Sequence, residues 1–140
     1  MPILNHIAQT AVKPLPQAIH PKAHAIMDYI NVGVMLMSAG AFWRRNKRAA
    51  VGALVSAGAM LAVNLLTDYP GGAKKATTYR RHKDIDFGLA ALTAIMPEIL
   101  AFKDEHERKL FIVEGALMSA ATQLTRFPRG TWRSERKYAA

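Results

Sequence analysis

The chain repeats itself at a fixed offset of 58 residues, and that recurrence limits what it can fold into. The pattern His24-x-x-x-Asp28-Tyr29 returns as His82-x-x-x-Asp86-Phe87. Thr67-Asp68-Tyr69-Pro70-x-Gly72 returns as Thr125-Arg126-Phe127-Pro128-x-Gly130. Aligning residues 24–72 with 82–130 without a gap gives nine identities: His24/His82, Asp28/Asp86, Val55/Val113, Met60/Met118, Ala62/Ala120, Leu66/Leu124, Thr67/Thr125, Pro70/Pro128 and Gly72/Gly130. They gather towards the ends of each unit, where a duplicated hairpin keeps its corners. The expected fold is all-α: a bundle of four transmembrane helices made of two tandem helical-hairpin repeats, related by pseudo-twofold symmetry along the membrane normal.

The expectation that the helices lie in lipid comes from charge layout. Lys and Arg number 19 against 10 Asp and Glu. Such a balance suits either nucleic acid or anionic headgroups. The positive residues stand in blocks, at residues 44–48, 74–83 and 126–137, between long uncharged runs. That is the layout of loops flanking spans. A mean hydropathy of +0.03 averages apolar spans with basic loops. At 140 residues one domain is expected. The absence of cysteine excludes disulfides, thiolate metal sites and a cysteine nucleophile.

Residues 1–21 read as an interfacial and then extended segment. Ile3, Leu4, Ile7, Ala8, Ala11 and Val12 follow helical spacing, and Pro14, Pro16 and Pro21 hold what comes next extended. The bundle is expected over 22–130. A first helix runs from Pro21 or His24 to Trp43, and a second covers 49–67, which contains no ionisable group. Its Gly52-x-x-x-Ser56 is the spacing that lets helices approach closely in lipid. A third helix is placed at 82–102, with Pro97 and Glu98 kinking its end, and a fourth at 110–127. Residues 131–140 form a basic tail. Four segments of roughly 18–21 residues match a hydrocarbon core of about 30 Å. Twelve of the 19 Lys and Arg fall on the side carrying both termini and the middle loop. The positive-inside tendency then puts both termini in the cytoplasm of a bacterial inner membrane.

The doubled pattern, His-x-x-x-Asp-Tyr opening one span and Thr-Asp-Tyr-Pro-x-Gly closing the next, resembles the small bacterial membrane proteins of the SPW-repeat type. The resemblance covers residues 22–130 and implies a four-span duplicated fold and no particular reaction. The sequence departs from it at the Ser-Pro-Trp element: residues 38–43 carry no proline, and only Pro97 keeps one in the second copy.

His24 and Asp28 are four apart and share a helix face, as do His82 and Asp86. A twofold axis brings the four together at the cytoplasmic ends of the first and third helices. They suit a divalent metal such as Zn, Fe or Mn. Alternatively, the two histidines suit axial ligation of a haem, or the cluster suits proton transfer or a quinone headgroup. A plain structural role, each His bonding a carboxylate and locking helix ends, explains the same residues. Asp68 and Arg126 occupy equivalent places, and an ion pair between them would relieve an acid at a helix C-terminus, with Arg80 or Arg81 as substitute partners. Glu98 and Glu114 are read as pairing with Lys103, Arg108 or Lys109. Asn31 and Asn64 are read as interhelical hydrogen bonders.

Three functions follow. The first is an accessory membrane protein without catalysis, whose basic cytoplasmic face binds anionic lipid, a partner subunit or a second copy. Its motivation is the absence of a nucleophile–base pair, a phosphate loop or a strong metal spacing. The second is a metal-, cofactor-, proton- or quinone-handling membrane protein centred on His24, Asp28, His82 and Asp86. The third is a soluble basic bundle binding nucleic acid, against which the blocked charge layout argues.

Overall fold

A computed structural model describes residues 16–126. The expected interfacial helix over residues 1–13 and the basic tail lie outside the described residues. Four helices make up nearly all of the rest: α1 (Pro21–Phe42), α2 (Lys47–Leu66), α3 (Tyr79–Ile99) and α4 (Arg108–Leu124). Two short strands, β1 (Thr67–Asp68) and β2 (Thr77–Thr78), lie between α2 and α3.

Local chemistry explains the starts. Pro21 takes the first position of α1, where its missing N–H costs nothing. Asn46 caps α2, its side chain accepting from the Ala49 N–H at 3.1 Å, and Thr78 caps α3 through the Arg81 N–H at 3.3 Å. Each satisfies an N–H that the first helical turn leaves without a partner. Pro97 sits in the last turn of α3, which stops two residues later. Ala101 then takes a left-handed conformation with φ of 55°.

Helices α1 and α2 pack as one hairpin and α3 and α4 as another, and the hairpins meet mainly through α2 and α3. The shared core holds Met35 and Ala39 of α1, Ala53 and Met60 of α2, Met96 of α3, and Phe111 and Met118 of α4. Small residues set the spacing. A Cβ at Gly52 would stand 2.9 Å from Met96 Cγ, and one at Gly115 would stand 2.7 Å from the Ala90 carbonyl oxygen.

The ends of the hairpins are cross-clasped. Thr67 pairs in parallel with Thr77, just before α3, and Ile19 pairs in parallel with Thr125, just after α4. Adding 58 to 19 gives 77, and adding 58 to 67 gives 125. The end of each hairpin therefore grips the chain leading into the other at matched positions.

Of the four expected spans, the second is expected to be the clearest and the third a weaker one. Among the described residues, two helices are long and apolar enough to cross a membrane: α1, with mean hydropathy 1.4, and α2, with 2.0. Helix α3 spends its first two turns on Arg80, Arg81, His82, Lys83, Asp84 and Asp86, and α4 has 17 residues with Arg108, Lys109 and Glu114 among them. Glu98 does lie 3.9 Å from Lys103. Glu114 does not pair as read: it is buried against the core, and its Oε1 has no hydrogen-bond partner among the described residues.

Candidate metal centre

Position four in α1 and position four in α3 are both histidine, and position eight in each is aspartate. Helical geometry puts each pair one turn apart on one face, and packing turns both faces inward. His24, His82 and Asp86 are almost wholly buried, and Asp28 nearly so. Four polar atoms converge, one from each residue, all within 4.8 Å of one another.

The contacts alternate between nitrogen and oxygen. His24 Nε2 lies 3.1 Å from Asp86 Oδ2 and 3.5 Å from Asp28 Oδ2. His82 Nε2 lies 3.2 Å from Asp28 Oδ2 and 3.2 Å from Asp86 Oδ2. The shortest His24 contact crosses to the other hairpin, so the cluster ties both hairpins at one end of the bundle.

The far side of each imidazole fixes its protons. Thr67 Oγ1 donates to the Val63 carbonyl at 2.7 Å, and Thr125 Oγ1 donates to the Ala121 carbonyl at 2.7 Å. A hydroxyl has one proton. Each threonine can then meet its histidine only as an acceptor. The 2.8 Å contacts from Thr67 Oγ1 to His82 Nδ1 and from Thr125 Oγ1 to His24 Nδ1 are accordingly Nδ1–H donations. The hydrogen-bond network thus assigns a proton to Nδ1 on both rings. Nε2 is left to face the carboxylates, carrying either a second proton or a lone pair.

Tyrosines close the cluster on the loop side. The Tyr69 ring lies 5.1 Å from that of His82, and its hydroxyl donates to Asp28 Oδ2 at 3.5 Å. Burial first, and then the Asp28 carboxylate, pushes the Tyr69 phenol above its ordinary pKa, so it stays a neutral donor. The Tyr79 ring lies 6.2 Å from His24, edge on. Thr122 Oγ1 approaches Asp86 Oδ2 at 3.5 Å.

Haem does not fit this geometry. A porphyrin would have to pass between the two imidazoles, where both carboxylate oxygens already stand 3.1–3.5 Å from the ring nitrogens. The Asp68–Arg126 ion pair also needs correction. Asp68 Oδ1 has Lys75 Nζ at 3.0 Å, a charge contact off the line of a hydrogen bond. The turn after β1 brings Lys75 back over the end of its own strand, so the acid is neutralised seven residues away. Arg126 instead joins the terminal clasp, its N–H donating to the Ile19 carbonyl at 3.1 Å.

Thr67 and Thr125 are residues of this cluster that the sequence alone does not single out. They are among the nine identities, but a threonine at a helix end reads as a terminator. Nothing in the linear chain says that Thr125 reaches a histidine 101 positions earlier. Compared with family models, curated proteins and solved structures, the chain matches none.

Proposed function

We propose that the chain is a small membrane-embedded four-helix bundle that holds one divalent transition-metal ion between His24, Asp28, His82 and Asp86. The observation that carries this reading is the alternating set of nitrogen–oxygen separations, 3.1 to 3.5 Å. Donors held about 2.0–2.1 Å from one shared ion stand roughly 2.9–3.4 Å apart along neighbouring edges, the lower figure for right-angled and the upper for tetrahedral coordination. Imidazole and carboxylate together suit Zn, Fe or Mn. The Nδ1–H donations to Thr67 and Thr125 supply the outer support that orients metal-binding histidines and fixes their tautomer. Two neutral imidazoles, two carboxylates and a divalent ion also sum to zero charge, which favours burial.

The membrane part rests on what faces outward. Between residues 23 and 42 of α1, and between residues 51 and 66 of α2, every exposed side chain is apolar or glycine. The same holds over 85–97 of α3 and 110–122 of α4. Met37 is 78% exposed and Ile26 62%, while His24, Asn64, Asp86, Thr93 and Glu114 are buried. Apolar residues outside and polar residues inside suit a hydrocarbon solvent. The belts on α3 and α4 span roughly 20 Å, so local thinning or tilt completes the crossing. Exposed Lys22, Lys74, Lys75, Arg80, Arg81 and Arg126 gather at the metal end. This suits a cytoplasmic face, with both termini inside, set against anionic lipid.

Fractionation followed by metal analysis tests the reading. The protein should sediment with membranes and carry about one metal per chain after purification in detergent and exposure to zinc. His24→Ala and His82→Ala should each lose it. A folded wild-type protein that binds no divalent ion would instead make the four residues a proton-linked lock between hairpins, the role an accessory protein needs.

A further inference from the structure

Just inside the cluster lies a small void, bordered by Asp28, Asn31, Asn64 and Asp86 and closed by Met60, Leu89 and Met118. About 10 Å³ of it is open to the centre of a water-sized sphere, which is room for one water molecule. Its wall contains two of the four carboxylate and imidazole residues described above. The other feature is Asn64. It is 2% exposed, it borders the void, and its Nδ2 has no hydrogen-bond partner among the described residues.

An unpartnered amide donor at this depth costs stability unless something accepts from it. A void bordered by two carboxylates and two amides is polar enough to hold water, whereas an apolar one of the same size would stay dry. Asn64 also has a reason to be small and polar here. Its counterpart 58 residues on, Thr122, reaches Asp86 Oδ2 at 3.5 Å, so the two equivalent positions both serve the cluster side of the bundle.

We propose that this void is an open coordination position: it holds a water or hydroxide bound to the metal, with Asn64 Nδ2 donating to that oxygen. The inference rests on the metal reading and deepens it. It makes the centre one of the exchangeable kind, with protein ligands and a solvent-derived oxygen together, rather than a closed structural site. The ligand class is then a single-atom oxygen donor or an anion of the same size. Fluoride fits such a space, and azide, three atoms long, does not.

Cobalt(II) loaded into the full chain in detergent gives a direct readout, because visible absorption of the ion weakens as coordination rises above four. Wild type should show the weaker absorption. Fluoride should shift the spectrum and azide should leave it unchanged. Asn64→Leu, which fills the void with an apolar group of similar size, should raise the absorption several-fold and abolish the fluoride shift. If cobalt binds but fluoride leaves the wild-type spectrum unchanged, the open position is wrong and the four-ligand site stands. An Asn64→Leu spectrum identical to wild type has the same meaning. If wild type binds no cobalt, the metal reading falls and this inference falls with it. The fluoride arm needs no variant, so it decides even if Asn64→Leu fails to fold.

Discussion

Thr125 accepts a hydrogen bond from His24 at 2.8 Å, across 101 residues of chain. The same contact, shifted by the 58-residue offset, joins Thr67 to His82. Each threonine sits at the end of one hairpin and holds a histidine in the first turns of the other. The clasp that closes the bundle and the orientation of the imidazoles are therefore one structural feature.

Removing the acceptor while keeping the shape should expose that link. Thr125→Val and Thr67→Val each leave an Nδ1–H unsatisfied and free a ring to turn. Each is expected to weaken zinc binding by about 10–100-fold, read by competition with a chromophoric chelator. The two losses should be alike, because the two environments are alike. Unchanged affinity in both would show that the threonines do not support the ligands.

The carboxylates should also behave as equivalents. Asp28→Asn and Asp86→Asn each remove one charged ligand from a balanced set, and each should weaken binding more than the threonine changes do, beyond roughly 100-fold. A large loss in one and none in the other would mean that a single hairpin holds the ion.

Close packing makes opposite expectations for two groups of glycines. Gly115→Ala places a Cβ 2.7 Å from the Ala90 carbonyl oxygen and 2.9 Å from the Ala94 side chain. Backbone cannot retreat cheaply, so a loss of about 1–3 kcal/mol is expected. Gly33, Gly58 and Gly88 have nothing within 4 Å. Alanine there should be neutral, or stabilising by up to about 1 kcal/mol through helix propensity. Thermal unfolding in one detergent compares them.

At the opposite end, Glu107 joins the two hairpin turns, accepting from Arg45 at 3.2 Å and from Asn46 at 3.3 Å. Its own backbone N–H, then Asn46 and Arg45, hold its carboxyl below the ordinary glutamate range against the effect of burial. A folded pKa below the unfolded one gives stability that is present above the unfolded value, about 4.3. That stability is lost as pH falls through the folded value. Stability should therefore decline below about pH 4.3, and Glu107→Gln should flatten that part of the curve. An identical acid limb in the variant would remove Glu107 from the explanation.

Helix number and approximate limits were legible because charges and prolines punctuate apolar runs. The second helix, expected over 49–67, is observed over Lys47–Leu66. Its start moved because Asn46 is a better cap than the basic pair that follows. The third began earlier than expected, since Thr78 caps it and Tyr79 packs inward. His24, Asp28, His82 and Asp86 were readable as a set because four-residue spacing fixes a helix face and the offset repeats it. Partners set by tertiary contact were not readable. Asp68 turned to Lys75 because a loop's return path is not written in local pattern, and Glu114 proved buried because nothing in its neighbours distinguishes an inward from an outward face.

The most direct test is zinc K-edge X-ray absorption on the purified, zinc-loaded chain. The spectrum should show nitrogen and oxygen donors at about 2.0–2.1 Å with multiple scattering from two imidazoles. Zinc bound without imidazole scattering, or no stoichiometric zinc at all in folded protein, would contradict a metal held between the two hairpins.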